Sequence, residues 1–244
     1  MRLTFLGTGA AMPTGDRMQT GLLLEKSEER LLVDCGSGVL HTLARTDVGY
    51  EGVDTVLLTH HHLDHVSDLL PLLKARWLAG EEELTVAGPT GTEGLVTDLL
   101  DVHEYLQGRV DLTLREVDVG SFAVAGFDVE AIETRHSMPG LAYKFDGALA
   151  FSADTEAFAG MGEFADGCEV LVHDCSFPDE VDVSNHPTPT QLGESLAGVD
   201  VEELYLTHLY PHTEGKHREM RDAVSEHFDG HVAVARDGLV VDIA

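Results

Sequence analysis

Apolar residues recur along the chain with two different spacings. Short runs rich in Val, Ile, Leu and Phe, bounded by Gly, Pro or Asp, predict strands at Arg2–Leu6, Leu22–Glu25, Arg30–Asp34 and Val53–Thr59. The series continues at Leu84–Ala87, Leu112–Val117, Phe122–Ala125, Phe127–Thr134, Leu141–Phe145, Ala148–Ser152 and Glu169–His173, then Glu203–Thr207, Val232–Ala235 and Leu239–Ile243. Apolar positions three and four apart predict helices at Leu69–Leu78, Thr92–Leu106, Glu156–Phe164, Thr190–Leu196 and Glu214–His227. Gly and Pro punctuate nearly every junction. The order suggests sheets sandwiched between helices, an α/β arrangement whose exact architecture the pattern leaves open. With 244 residues, no repeat and no low-complexity linker, a single domain over 1–244 is expected.

Composition narrows the class. Hydrophobic residues make up 43 % of the chain, and no apolar stretch reaches the roughly 20 residues a membrane-spanning helix needs. The first residues turn strand-like at once, without the pattern of a signal peptide, so a cytoplasmic location is expected. The formal charge is -29, from 44 acidic against 15 basic residues, and the acids are scattered rather than gathered in a tail. Such a surface repels itself in ordinary salt, whereas near 1 M salt the Debye length falls to about 3 Å. A salt-loving source is expected. Cys35, Cys168 and Cys175 have no Cys-x-x-Cys spacing, which argues against a disulfide framework or a thiolate zinc knuckle and for buried thiols.

The sharpest chemical signal is Thr59-His60-His61-His62-Leu63-Asp64-His65, read as a turn directly after an apolar strand. So many imidazoles beside a carboxylate lose solvation and repel unless a cation takes up their lone pairs. Imidazole nitrogen with carboxylate oxygen suits zinc or its first-row neighbours. A lone histidine is usually structural, and His41, His103, His217, His227 and His231 are read as surface residues. Gly7-Thr8-Gly9 lacks the third glycine of a dinucleotide fingerprint and leads into a strand, so it reads as a tight turn.

The His-x-His-x-Asp-His run resembles the signature of the metallo-β-lactamase superfamily. Gly7-Thr8-Gly9-Ala10-Ala11-Met12-Pro13, Val33-Asp34-Cys35-Gly36-Ser37-Gly38, His136-Ser137-Met138-Pro139, Ser152-Ala153-Asp154-Thr155 and Leu206-Thr207-His208 follow in the order of ribonuclease Z-like members. That resemblance implies a four-layer αββα sandwich and two divalent ions, zinc foremost, with manganese or iron able to use the same donors. His60, His62 and His136 would hold one ion, Asp64, His65 and His208 the other, with Asp154 bridging. Asp34 would steady the loop from behind, and His61 would face away. Asp154 alone has a duller reading, as a cap for the helix expected from Glu156.

Two ions so held favour in-line displacement at phosphorus. A proton donor for the leaving alkoxide is then needed. Val172-His173-Asp174-Cys175-Ser176-Phe177 and Asn185-His186-Pro187-Thr188 are similar to the paired segments that serve the leaving group in ribonuclease Z-like enzymes. His186 is thus the candidate general acid. Asp174 is its partner, where the family more often has Glu, and Asp64 counts both as ligand and as catalytic carboxylate. Leu141–Phe145 passes through Asp146-Gly147 straight to Ala148–Ser152, which leaves no room for the basic arm that grips transfer RNA in full-length members. Small, cyclic or single-stranded phosphodiesters, or an RNA end, are the expected substrates. Transfer RNA 3′ processing, thioester or lactone hydrolysis and a non-catalytic metal-stabilised protein are the alternatives. The resemblance also implies a homodimer, and nothing points to a membrane partner. Arg17 and His212 lie beside matched motifs, within possible reach of a phosphate, or as solvated loop residues.

Overall fold

A computed structural model describes residues 1–181 and 183–244. Its strands, numbered along the chain, form two seven-stranded sheets. The first sheet contains β1 (Arg2–Gly7), β2 (Gly21–Lys26), β3 (Glu29–Val33), β4 (Thr55–Leu57), β5 (Glu83–Gly88), β6 (Asp111–Glu116) and β14 (Val240–Asp242), in the order β14-β1-β2-β3-β4-β5-β6. The second contains β7 (Gly120–Val124), β8 (Phe127–Glu133), β9 (Leu141–Phe145), β10 (Leu149–Phe151), β11 (Val170–Asp174), β12 (Glu203–Thr207) and β13 (His231–Val234), in the order β13-β12-β11-β10-β9-β8-β7. Each sheet is antiparallel in one half and parallel in the other, the parallel pairs being β3 through β6 and β10 through β13.

The continuous apolar runs follow from burial on both strand faces. Leu22 and Leu24 of β2 and Leu31 and Val33 of β3 point between the sheets, where they meet Phe127, Tyr143, Phe145, Phe151, Val170 and Val172. The alternate residues Leu23 and Leu32 pack on the opposite face with α1 (Val39–Leu43), α3 (Leu69–Ala79) and α4 (Thr92–Val102). Leu171 of β11 and Leu204 and Leu206 of β12 likewise face α5 (Ala159–Ala165), α6 (Pro189–Ser195) and α7 (His217–Ser225). The result is the αββα sandwich that the sequence resemblance implied. A buried tie joins the sheets near the site, where the Tyr143 hydroxyl donates to Leu58 O at 2.8 Å and Leu141 N donates to Thr59 O at 3.0 Å.

Several boundaries differ from the sequence reading. The strand expected over Val53–Thr59 is regular only at Thr55–Leu57, because its end is drawn off into the histidine segment. That segment is not wholly a turn: Leu63–Val66 forms a short helix, α2, and Asp64 and His65 sit on it. Neither α1 nor α2 reaches two turns, too short for an apolar period to register. The helix expected over Glu156–Phe164 starts at Ala159 with Phe158 at its N-cap, so Asp154 does not cap it. The stretch Thr92–Leu106 divides into α4 and a separate 3-10 turn at Glu104–Leu106, and α7 begins at His217 rather than Glu214.

The hairpin between β9 and β10 closes through Asp146 and Gly147, both at positive φ (49° and 69°). The Asp146 carboxylate accepts from Asp128 N at 3.0 Å and from Lys26 Nζ at 2.7 Å, which fixes this minimal turn. Parallel strands β3 and β4 of one sheet and β10, β11 and β12 of the other all end at one edge of the sandwich. Their following loops, with the one after β8, build the cleft described next.

Candidate metal centre

The loops bring all seven residues singled out as ligands into one cleft. His60, His62, His136 and Asp154 have donor atoms within 4.8 Å of one another, and so do Asp64, His65, Asp154 and His208, with Asp154 common to both groups. The His60–His65 segment comes from the loop and short helix after β4, while His136, Asp154 and His208 follow β8, β10 and β12. The cleft, about 420 Å³, is lined also by Ala11, Ser137, Asn185, His186 and Tyr210.

Backbone bonds place these side chains with little freedom. Asp34, Ala153, Asn185 and His208 all have positive φ (59°, 52°, 68° and 57°), a conformation uncommon outside glycine. Such strain gathers where the surrounding structure dictates side-chain aim. Asp34 accepts from Thr59 N and Thr59 Oγ1, both at 2.8 Å, and from His65 Nδ1 at 2.7 Å. It therefore supports the histidine run from behind. Gly36 lies against this run so closely that a Cβ there would overlap Asp64 O.

The hydrogen bonds on the outer side of each ring settle which nitrogen faces the cleft. His65 Nδ1–H goes to Asp34, and His136 Nδ1–H goes to Asn185 O at 3.1 Å, so each presents Nε2 inward. His60 Nδ1 lies 3.1 Å from Thr59 Oγ1, whose proton goes to Asp34. His208 Nδ1 lies 2.9 Å from Ser176 Oγ, which donates to Asp174 Oδ1 at 2.6 Å. Asp174 Oδ2 in turn lies 2.7 Å from His186 Nδ1. One buried carboxylate thus orients both His208 and His186, through a serine on one side and directly on the other.

Inside the cleft the donors crowd. His62 Nδ1 stands 3.0 Å from His60 Nε2 and 3.2 Å from His136 Nε2, while His208 Nε2 lies 3.1 Å from Asp64 Oδ2 and 3.2 Å from Asp154 Oδ2. His65 Nε2 is fully buried and has no hydrogen-bond partner among the described residues; Asp154 Oδ1 is 3.3 Å away but out of line. Burial, reinforced by His65, pushes His60 well below the ordinary histidine pKa, and burial followed by His136 lowers His62. Burial opposes charge on His65 too, yet Asp154 and Asp34 overcome it and raise its pKa. Burial also works against the Asp64 carboxylate, but His208 and His65 draw its pKa down to about 2. Convergent lone pairs, two anionic carboxylates and an unpartnered buried nitrogen make a donor set that fits divalent cations, in the residue types that zinc and its neighbours accept.

His186 borders this centre, its ring stacked on His208 with centroids 5.3 Å apart. Burial opposes its charge, but Asp174 outweighs burial and raises its pKa to about 9. Tyr210 faces the same cleft, and burial with the nearby Asp64, Asp154 and Asp174 pushes its phenol up to about 12. His61 does point away, its Nε2 2.8 Å from Thr92 Oγ1. Of the histidines read as surface residues, His41, His103, His227 and His231 are exposed. His217 is the exception, half-buried near Arg17 with an unpartnered Nε2. Arg17 is committed inward, donating to Thr8 Oγ1 at 2.6 Å and Ala235 O at 2.7 Å, whereas His212 is exposed. All three cysteines are buried and free. Sequence reasoning assigned nothing to Ser176, Thr59 or Asn185, because a hydroxyl or carbonyl behind a ligand has no periodicity or composition to mark it.

The fold and the histidine–aspartate cleft define a metal-dependent hydrolase of the metallo-β-lactamase fold. Structurally the chain is similar to YhfI from Bacillus subtilis, with a TM-score of 0.86 at 24 % identity over 100 % of this chain and 99 % of that one. It is also similar to the short form of human tRNase Z, with a TM-score of 0.80 at 21 % identity over all of both chains. In sequence it is 34 % identical to a ribonuclease Z of Methanopyrus kandleri, over 99 % of this chain and 97 % of the relative. The chain belongs to the family described as Anti-Pycsar protein Apyc1, whose model matches residues 1–225, within the ribonuclease Z-like branch of the superfamily. It is a metal-dependent, ribonuclease Z-like nuclease or phosphodiesterase.

Proposed function

We propose that the chain hydrolyses small, cyclic or single-stranded phosphodiesters with two divalent ions. His60, His62 and His136 hold one ion, Asp64, His65 and His208 hold the other, and Asp154 is shared. The observation that carries this reading is the pair of overlapping donor groups meeting at Asp154, with His186 and Asp174 at their edge. Divalent ions held by these residues would supply Lewis-acid charge and lower the pKa of a water beside the phosphorus.

The chain's own residues do the rest. His186, with Nδ1 held by Asp174, carries its transferable proton on Nε2 and gives it to the leaving oxygen as the P–O bond breaks. Its raised pKa keeps that proton in place at neutral pH. Asp174 stabilises the protonated ring and, through Ser176, keeps the His208 tautomer that presents Nε2. Asp34 does the same for His65. Tyr210 retains its phenolic hydrogen and offers a donor to a non-bridging phosphate oxygen. The products are an alcohol and a phosphate monoester, which stay in one molecule when the ester is cyclic.

Small substrates are favoured by the tight Asp146-Gly147 turn, which carries no arm, and by the net charge of -29, which repels a long polyanion. The identity with the Methanopyrus ribonuclease Z supports a second reading, cleavage of an RNA 3′ end. The alignment covers 275 positions, more than this chain's 244 residues, so the relative has segments without counterpart here. Zinc is the ion the donors suit first, with manganese or iron using the same set. The chain acts as a single unit over 1–244 and, by resemblance, as a homodimer in a salt-rich cytoplasm. Among the described residues, no helix is long and apolar enough to cross a membrane.

Rates of the metal-loaded protein in high KCl on a 3′,5′-cyclic nucleotide and on a transfer RNA precursor with a 3′ trailer test these readings. Faster turnover of the cyclic ester is expected. Efficient trailer removal with an inert cyclic ester selects the second reading, and no phosphodiester hydrolysis at all defeats both.

A further inference from the structure

Beside His186 lies a second recess of about 590 Å³, which shares Ser184 and His186 with the metal cleft. Its walls include Glu156, Phe158, Ser184, His186, Gln191 and Glu194. The wall at Phe158 is built in an unusual way for so acidic a chain. Arg135 lays its guanidinium over the Phe158 ring, 4.3 Å from the centroid. Its side chain forms no ion pair or hydrogen bond among the described residues. Its backbone is fixed at both ends: Arg135 N donates to Thr155 Oγ1 at 2.9 Å, and Arg135 O accepts from Glu156 N at 2.9 Å. Arg135 directly precedes His136, and Thr155 directly follows Asp154. The Arg135 backbone is therefore held in register with the metal centre, while its guanidinium backs the Phe158 ring, and it is Phe158 that lines the recess.

An aromatic ring backed by a guanidinium plane is a platform on which a nucleobase stacks. The other groups favour a base over a second phosphate. Glu156 and Glu194 would repel an anion but accept from exocyclic amino groups. Gln191 uses Oε1 to accept from Thr188 N, which leaves its amide NH2 for a ring nitrogen or carbonyl. Because His186 lines both the recess and the metal cleft, the recess lies on the side to which the leaving alkoxide departs.

We propose that Arg135 and Phe158 form a nucleobase subsite for the leaving nucleoside of a linear phosphodiester, next to the proton donor His186. The subsite rests on the phosphodiesterase reading above. It makes a dinucleoside monophosphate whose leaving group carries an amino-bearing base, such as adenosine, a better substrate than an ester of a small alcohol.

The test compares adenylyl-(3′→5′)-uridine with the methyl ester of uridine 5′-phosphate. Both release uridine 5′-phosphate, and they differ only in the leaving group, adenosine or methanol. With the metal-loaded protein in high KCl, Arg135→Ala and Phe158→Leu each lower kcat/KM on the adenosine ester by roughly tenfold more than on the methyl ester, as expected for losing one stacking platform. Arg135→Lys, which keeps the charge but not the plane, does not restore the preference. Calorimetry with free adenosine, which needs no turnover, gives binding to the wild type that weakens by a similar factor in the same variants. Equal losses on both esters, full rescue by Lys, or adenosine binding indifferent to the variants each overturn the subsite. If the wild type cleaves neither ester, the phosphodiesterase reading falls, and the adenosine measurement still decides the subsite.

Discussion

The hydrogen bond between Asp174 and His186 separates the two roles open to a histidine beside a metal centre. Held through Nδ1, His186 has Nε2 for a departing oxygen. His186→Ala should therefore lower turnover by about 10²–10⁴-fold on alkyl esters, whose leaving groups need a proton, and far less on nitrophenyl esters, which need none. Parallel rate measurements on the two ester classes check this, and equal losses would point to a structural role. Asp34 works at one remove, through His65 and Thr59. Asp34→Ala should weaken metal binding by about 10–100-fold, read as metal content after dialysis against graded chelator, with the fold retained by circular dichroism.

Among the elements, α2 has the least structure of its own and the most depending on it. It is one turn long, carries Asp64 and His65, and rests on Gly36 with no space between. Gly36→Ala should shift that turn, lower the thermal midpoint and reduce metal stoichiometry together, measured by calorimetry and metal analysis on one sample. A stable, fully loaded variant would show that the contact yields. The sequence displayed the long parts of this fold well. Strands β2, β3 and β11 are apolar on both faces, and the helix at α3 is long enough for its period to register. The boundaries at α4, α5 and α7 blurred, because fraying ends and 3-10 turns continue an apolar pattern without continuing a helix. His60, His62, Asp64 and His65 were legible because crowded histidines are chemically conspicuous, whereas His136, Asp154 and His208 were reached only through the order of motifs in the resemblance. Ser176 and Asn185 were not, since their roles depend on loops brought together from positions far apart in the chain. The same holds for Arg135 on Phe158, a pairing that no spacing announces.

At the level of the whole molecule, charge and buried histidine govern stability. The net charge of -29 should make the thermal midpoint rise with KCl towards the molar range, and a midpoint that falls steadily over that range would argue against salt adaptation. Acid should act in the opposite sense. His173 is fully buried, donates from Nδ1 to Asp174 O at 2.7 Å and has no partner for Nε2; burial lowers its pKa. Above about pH 6.5 it is neutral in both folded and unfolded chains and contributes no pH dependence. As pH falls below that value the unfolded chain takes up the proton first, so stability is lost. Between pH 6.5 and 5.5 the urea midpoint of the wild type should lose more, or gain less, than that of His173→Gln; identical slopes would show that this histidine contributes nothing.

The seven proposed ligands are divided between the two halves of the sandwich, four after β4 of the first sheet and three after β8, β10 and β12 of the second. Ions shared between them would act as rivets across a seam otherwise closed by apolar contact, by the ties from Tyr143 and Leu141, and by the Lys26–Asp146 pair. Bound to the folded form alone, they tie its lifetime to the free metal concentration around it by mass action. In a cell short of metal, the protein would then fail first by opening at this edge, losing persistence along with activity.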